Sequence, residues 1–154
     1  MATAEWVLLS YRLPREPSTP RIAVWRRLRE LGVGKLGDGL VALPLEARTR
    51  EQFEWIAEEV EQAGGEAGVW ISRPGLARQE RELVAAMRSA IRDEYVGLIE
   101  QATDASATPS RRELAKLRRR LRKIRRRDYF PPPERERAEV AVEALATTLQ
   151  GAAA

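Results

Sequence analysis

Eleven Lys and Arg side chains and one acid, Glu113, lie between Ser110 and Arg127 in the run SRRELAKLRRRLRKIRRR. Such side chains hold anions rather than break bonds, and a regular row of them suits a polymer of phosphates, whose counterions are released on contact. The whole chain has 27 basic and 23 acidic residues. Outside the run, 16 basic side chains therefore stand against 22 acidic ones, so a body of net −6 carries a segment of net +10.

Leu114, Leu117, Leu121 and Ile124 recur at spacings of three, four and three, which puts them on one stripe of a helix. Arg112, Lys116, Arg119, Lys123 and Arg126 fall opposite that stripe, and Arg120, Arg127 and, far upstream, Arg26 and Arg27 complete the candidate nucleic-acid-binding set. Ser110 followed by Glu113 is a capping-box pair, and Pro109 discourages an earlier start. Like charges four apart oppose a helix by roughly a few tenths of a kcal/mol per pair. Arg112/Lys116, Lys116/Arg120, Arg119/Lys123, Arg122/Arg126 and Lys123/Arg127 are all such pairs. Something anionic should offset that repulsion. Two sources stand open: the phosphates of a nucleic acid, or the chain's own acids, Glu54, Glu58, Glu59 and Glu61 upstream and Glu134, Glu136, Glu139 and Glu143 downstream. Arg26 and Arg27 form a second, smaller basic patch.

The chain has no Cys and no His. That removes disulfides, thiol nucleophiles, Ser-His-Asp triads and the usual zinc, copper and haem sites. No GxGxxG follows a strand, so no cofactor and no enzymatic activity are expected, although carboxylate-bound magnesium stays open. A content of 44% apolar and 32% charged residues is that of a folded soluble protein. No apolar run approaches the roughly 20 residues of a membrane span, and Ala2 to Ser10 lacks the basic lead and cleavage pattern of a signal peptide. A cytoplasmic protein with no membrane partner is expected.

The elements that must position these residues follow from period and punctuation. Trp6 to Leu9 reads as a short buried strand. Thr19 as N-cap and Pro20 then open a helix closed by Gly32, with Ile22, Trp25 and Leu28 towards one side. Val33 to Leu36 is an edge strand, Gly37-Asp38-Gly39 a turn, and Leu40 to Leu43 the next apolar strand. Thr49 and Gln52 cap a helix carrying Phe53, Ile56, Ala57 and Val60, which ends at Gly64-Gly65 before a strand at Ala67 to Ser72. Trp25 and Trp70, among apolar neighbours, are expected in the core. The order βαββαβ predicts an α+β, ferredoxin-like domain over residues 1–73, with the first and third strands central. Continuous apolarity in those strands also demands cover on both sheet faces, from a helical appendage or a second subunit. Residues 75–150 read as a three-helix extension whose middle member is the basic helix, 110–128. Thr103 to Pro109 is a loop, and Tyr129 and Phe130 are a packing anchor beside the Pro131–Pro133 breaker.

Three collinear segments, WVLLSYRLPREPSTPRIAVWRRLRELG, GLVALP and FEWIAEEVEQAGGEAGVW, with the later Arg-Arg-Asp-Tyr-Phe-Pro, resemble the amino-terminal domain of the ChrB family of chromate-resistance regulators. A more distant resemblance is to the central domain of the PaaX family. The resemblance implies a transcriptional regulator of a chromate-responsive operon, with promoter DNA as partner, chromate as effector and a homodimer as assembly. Arg26 and Arg27 would then be oxyanion ligands, since forked guanidinium donors suit a doubly charged oxyanion. The family's fold is similar to the small ferredoxin-like nucleases of CRISPR adaptation, whose metal-binding Asp ends the first strand. This chain has Ser10 and Tyr11 there, so that chemistry does not carry over. Longer ChrB proteins continue into a carboxy-terminal domain, which is an alternative seat for chromate sensing. An interaction module whose basic helix docks on acidic protein surfaces is the rival expectation, and an enzyme, a metal-dependent nuclease or a chromate reductase, is the third.

Overall fold

The computed structural model describes residues 4–153; residues 1–3, where the leader reading and the 1–73 domain begin, lie outside the described residues. The elements are β1 (Trp6–Arg12), α1 (Thr19–Leu31), β2 (Gly34–Gly37), β3 (Leu40–Pro44), α2 (Ala47–Gln62), β4 (Glu66–Ser72), α3 (Ala77–Ala105), α4 (Arg111–Arg126) and α5 (Glu134–Ala153). The protein is α+β, with a four-stranded antiparallel sheet in the order β2-β3-β1-β4 and five helices among the described residues. It divides into two units between Met87 and Arg88, inside α3.

In the first unit, β1 and β3 carry the uninterrupted apolar runs and are the inner strands, in register from Trp6 opposite Pro44 to Ser10 opposite Leu40. Alternation turns Val7 and Leu9 to one face with Val41 and Leu43, and all four are buried. On that side α2 packs against β1 and β4, with Phe53, Ile56 and Val60 buried, and α1 packs against α2. The first turns of α3 reach the other face. There Trp6 Nε1 donates to Glu80 Oε2 at 2.9 Å, and a Cβ on Gly34 would stand 2.4 Å from Leu83 Cδ1. Glycine at 34 is what lets α3 approach the sheet.

Several local expectations need correction. Helix α1 buries Val24 and Leu28 rather than Ile22 and Trp25, which are about half exposed. Trp25 lies one position beyond the Val24 stripe, and its ring stacks under the Arg29 guanidinium at 5.2 Å. Trp70, opposite Leu8 on the edge strand β4 and so on the sheet face away from α2, is 61% exposed; its indole N–H donates to Ser10 Oγ at 3.0 Å. The α1 N-cap is Ser18, one residue earlier than expected.

Helix α2 starts at Ala47, so Thr49 is its third residue rather than its cap. Thr49 is buried; its hydroxyl accepts from the Glu46 N–H at 3.0 Å and donates to the Pro44 carbonyl at 2.6 Å, tying the end of β3 to the start of α2. Thr49→Val keeps the shape and removes both bonds. It should lower unfolding free energy by about 1–3 kcal/mol in urea titrations, because the amide and carbonyl stay behind unsatisfied, whereas Thr49→Ser should recover most of the loss.

The second unit holds α3 from Arg88, α4 and α5 around Tyr95, Leu98, Leu117, Ile124 and Leu145, all at 1% exposure or less. Burying Leu117, Leu121 and Ile124 contributes roughly 1.5–3 kcal/mol each, more than the like-charge pairs of α4 cost at roughly a few tenths each. Apolar anchoring therefore holds a helix that its own charge opposes. The expected loop at Thr103 is instead the end of α3, where Thr103 Oγ1 donates back to the Ile99 carbonyl at 2.9 Å, a bond that satisfies the hydroxyl without leaving the helix.

Candidate nucleic-acid interface

The cap that starts α4 is the one the sequence signals: Ser110 Oγ accepts from the Glu113 N–H at 3.1 Å. Glu113 in the first turn and Lys123, Arg125 and Arg126 in the last turn each sit at the pole of the helix dipole that favours their charge. With Leu117, Leu121 and Ile124 facing the core, the cations divide into three rows.

On the α3 side the cations are held. Arg120 donates to Gln101 Oε1, and Arg127 grips the Glu94 carboxylate with both Nε, at 2.9 Å, and Nη2. Arg127 also donates to the Lys123 carbonyl at 3.2 Å. These two members of the candidate set are structural ties between α3 and α4 as well as surface charges.

On the α5 side, Arg118 meets Glu143 at 3.8 Å with both side chains largely exposed, a long pair of little energetic weight. Here α4 and α5 enclose a groove of about 530 Å³. Arg111, Arg118, Arg119 and Arg122 form its rim, over a floor that includes Leu114, Ala115, Ala146 and Leu149.

The outward row is different. Arg112, Lys116, Arg119 and Lys123 are exposed, and among the described residues none of their side chains has a hydrogen bond or ion pair. Arg126 extends the row. Of the acids weighed as internal partners, Glu54, Glu59, Glu134 and Glu139 pair instead with Arg50, Arg27, Arg92 and Arg135.

Arg26 and Arg27 do not converge. Arg26 is exposed on α1, while the half-buried Arg27 donates to Glu59, whose carboxylate would repel an oxyanion. Ser10, at the end of the first apolar run, accepts from the Trp70 indole N–H at 3.0 Å and donates to the Gly68 carbonyl at 3.5 Å. No group of three or more metal-ligating side chains is gathered among the described residues, and no helix among them is long and apolar enough to cross a membrane.

One arrangement escaped the sequence reading. Tyr95, fully buried on α3, donates its hydroxyl to Asp128 Oδ2 at 2.7 Å, and Arg135 Nη1 lies 3.8 Å from the same oxygen. The Asp128 side chain is wholly buried, and its Oδ1 has no hydrogen-bond partner. The motif Arg-Arg-Asp-Tyr-Phe-Pro thus begins on a surface cation and turns inward at the acid that fixes the end of α4. Close by, Arg88 Nε donates to the Phe130 carbonyl at 3.3 Å. No local signal in the sequence pairs residues 33 apart.

Fold and charge together define a small α+β protein that presents an open row of cations on a helix whose apolar stripe is locked in a core. The family described as "Protein ChrB, N-terminal" matches residues 21–154, and the chain belongs to that family. Protein ChrB of Cupriavidus metallidurans is 29% identical over 142 residues, which cover 88% of this chain and 43% of that protein. The chain therefore spans less than half the length of this curated relative. No solved structure matches it.

Proposed function

We propose that this protein is a non-enzymatic, DNA-binding regulator of chromate resistance, in which α4 holds the phosphate backbone of promoter DNA. One observation carries the reading: Arg112, Lys116, Arg119 and Lys123 stand in one exposed row with no charge partner among the described residues. Membership of the ChrB family supports the chromate-resistance part. We read residues 1–73 as a ferredoxin-like domain, for which the inner placement of β1 and β3 speaks, and residues 75–150 as its helical extension. The protein acts in the cytoplasm as a homodimer, with chromate as effector.

Arginines on a uniform face grip phosphates and do not by themselves distinguish bases. Affinity should therefore depend steeply on salt. Fluorescence anisotropy with a duplex from the chain's own upstream region should give a log–log slope of about −3 to −4 for four neutralised phosphates. A slope near zero would refute the DNA reading. Chromate added to the same titration should shift its midpoint; an unmoved midpoint would remove the effector.

A further inference from the structure

We propose that the groove between α4 and α5 receives helix α2 of a second copy of this chain. The inference rests on the homodimer of the proposed function and not on its DNA reading, for Arg119 is the one side chain that the groove shares with the outward row. Phosphates have no use for the apolar floor made by Leu114, Ala115, Ala146 and Leu149. A ligand suited to both rim and floor carries acids around an apolar or aromatic anchor.

Helix α2 has that composition on its outer side. Trp55 is 48% exposed there, although large aromatic side chains are mostly covered. Glu51, four residues before it, and Glu58, three after, share its ridge, both exposed and without an ion pair among the described residues. On α4, Arg111, Ala115 and Arg118 follow one another at the same spacing of four and three. Laid side by side, the two rows match: a carboxylate against Arg111, the indole over the short side chain of Ala115, and a carboxylate against Arg118. The incoming acid displaces only the long, exposed Arg118–Glu143 pair, which costs little.

The two surfaces are different, so the contact is heterologous. An occupied groove also covers Arg119, which belongs to the outward row. Self-association and polyanion binding then compete for one side chain.

Sedimentation velocity on the full chain at about 50 mM salt, over roughly 5 to 200 µM, tests the proposal. Association should strengthen with concentration and weaken with salt. Trp55→Ala, the pair Glu51→Arg and Glu58→Arg, and the pair Arg111→Glu and Arg118→Glu should each weaken it by about tenfold or more. All these side chains are exposed, and unchanged circular dichroism should confirm that the fold persists. Mixing the two charge-reversed proteins should restore a complex that neither forms alone. A monomer at every concentration would overturn the proposal, as would association that Trp55→Ala leaves unchanged.

Discussion

Charge reversal at Arg119 and Lys123, as R119E/K123E, should reduce affinity for duplex DNA by about 100-fold near 0.1 M salt and flatten the log–log salt slope by about 2. Each phosphate contact contributes close to one unit of slope, and two contacts are removed. The loss cannot come from unfolding, because both side chains are exposed and make no contact that the fold needs. Stability should change by well under about 1 kcal/mol, since the attraction of each new glutamate to cations such as Lys116, Arg122 and Arg127 is offset by a negative charge placed in the last turn of α4. Weaker binding from a protein of unchanged stability is the signature of side chains kept for a ligand. R78E/R81E, an equal change of net charge on exposed positions early in α3, is the control and should leave the slope within about half a unit. Equal losses in the two variants would mean that net charge alone, rather than the α4 row, draws the nucleic acid.

What could be read in advance, and what could not, divides along the range of the forces involved. The α4 cap and stripe were legible because Ser110, Glu113, Leu117, Leu121 and Ile124 act within a few residues of one another, and the bond from Glu113 N–H to Ser110 is the one expected. The inner position of β1 and β3 was legible because an unbroken apolar run leaves a strand no polar face. Helix α1 was ambiguous. Ile22, Trp25 and Leu28 are spaced three apart, Val24, Leu28 and Leu31 four and three, and both stripes pass through Leu28, so packing alone decides between them. Trp70 misleads because the same apolar letters serve a central and an edge strand, and only the sheet order separates the two.

The candidate site was legible as a charged face but not as three rows. That Arg120 would turn to Gln101 and Arg127 to Glu94 depends on where α3 lies beside α4, which the sequence of neither helix specifies. The division matters for interpretation. A substitution at Arg127 removes a tie to α3 together with a charge, so its effect on binding mixes two causes, whereas Arg119 and Lys123 report on charge alone. The same holds for Asp128, which sits one residue beyond Arg127 and faces inward.

Tyr95→Phe should lower the unfolding free energy of the helical unit by about 2–3 kcal/mol at neutral pH, measured in urea. Phenylalanine fills the same buried space, so no cavity term enters. What is lost is the 2.7 Å bond to Asp128, a hydrogen bond to a charged acceptor worth roughly 1.5–3 kcal/mol. Asp128 would then keep only Arg135 at 3.8 Å, with its second oxygen already without a partner. In an Asp128→Ala background the same substitution should cost much less, a coupling of about 2 kcal/mol. The alkaline limb gives a second readout. Burial, followed by the hydrogen bond to Asp128 and the charge of that carboxylate, pushes the Tyr95 phenol well above its ordinary value. A raised folded-state value means that the native protein keeps a proton which the unfolded chain gives up above pH ~10. The stabilisation is therefore complete below that pH and drains away as pH rises past it. Between pH ~9 and ~11 the wild type should lose about 1.4 kcal/mol more than Tyr95→Phe, which has no proton to lose there. Parallel limbs in the two proteins would show that Tyr95 is free to ionise, and that its bond to Asp128 is not what fixes the end of α4.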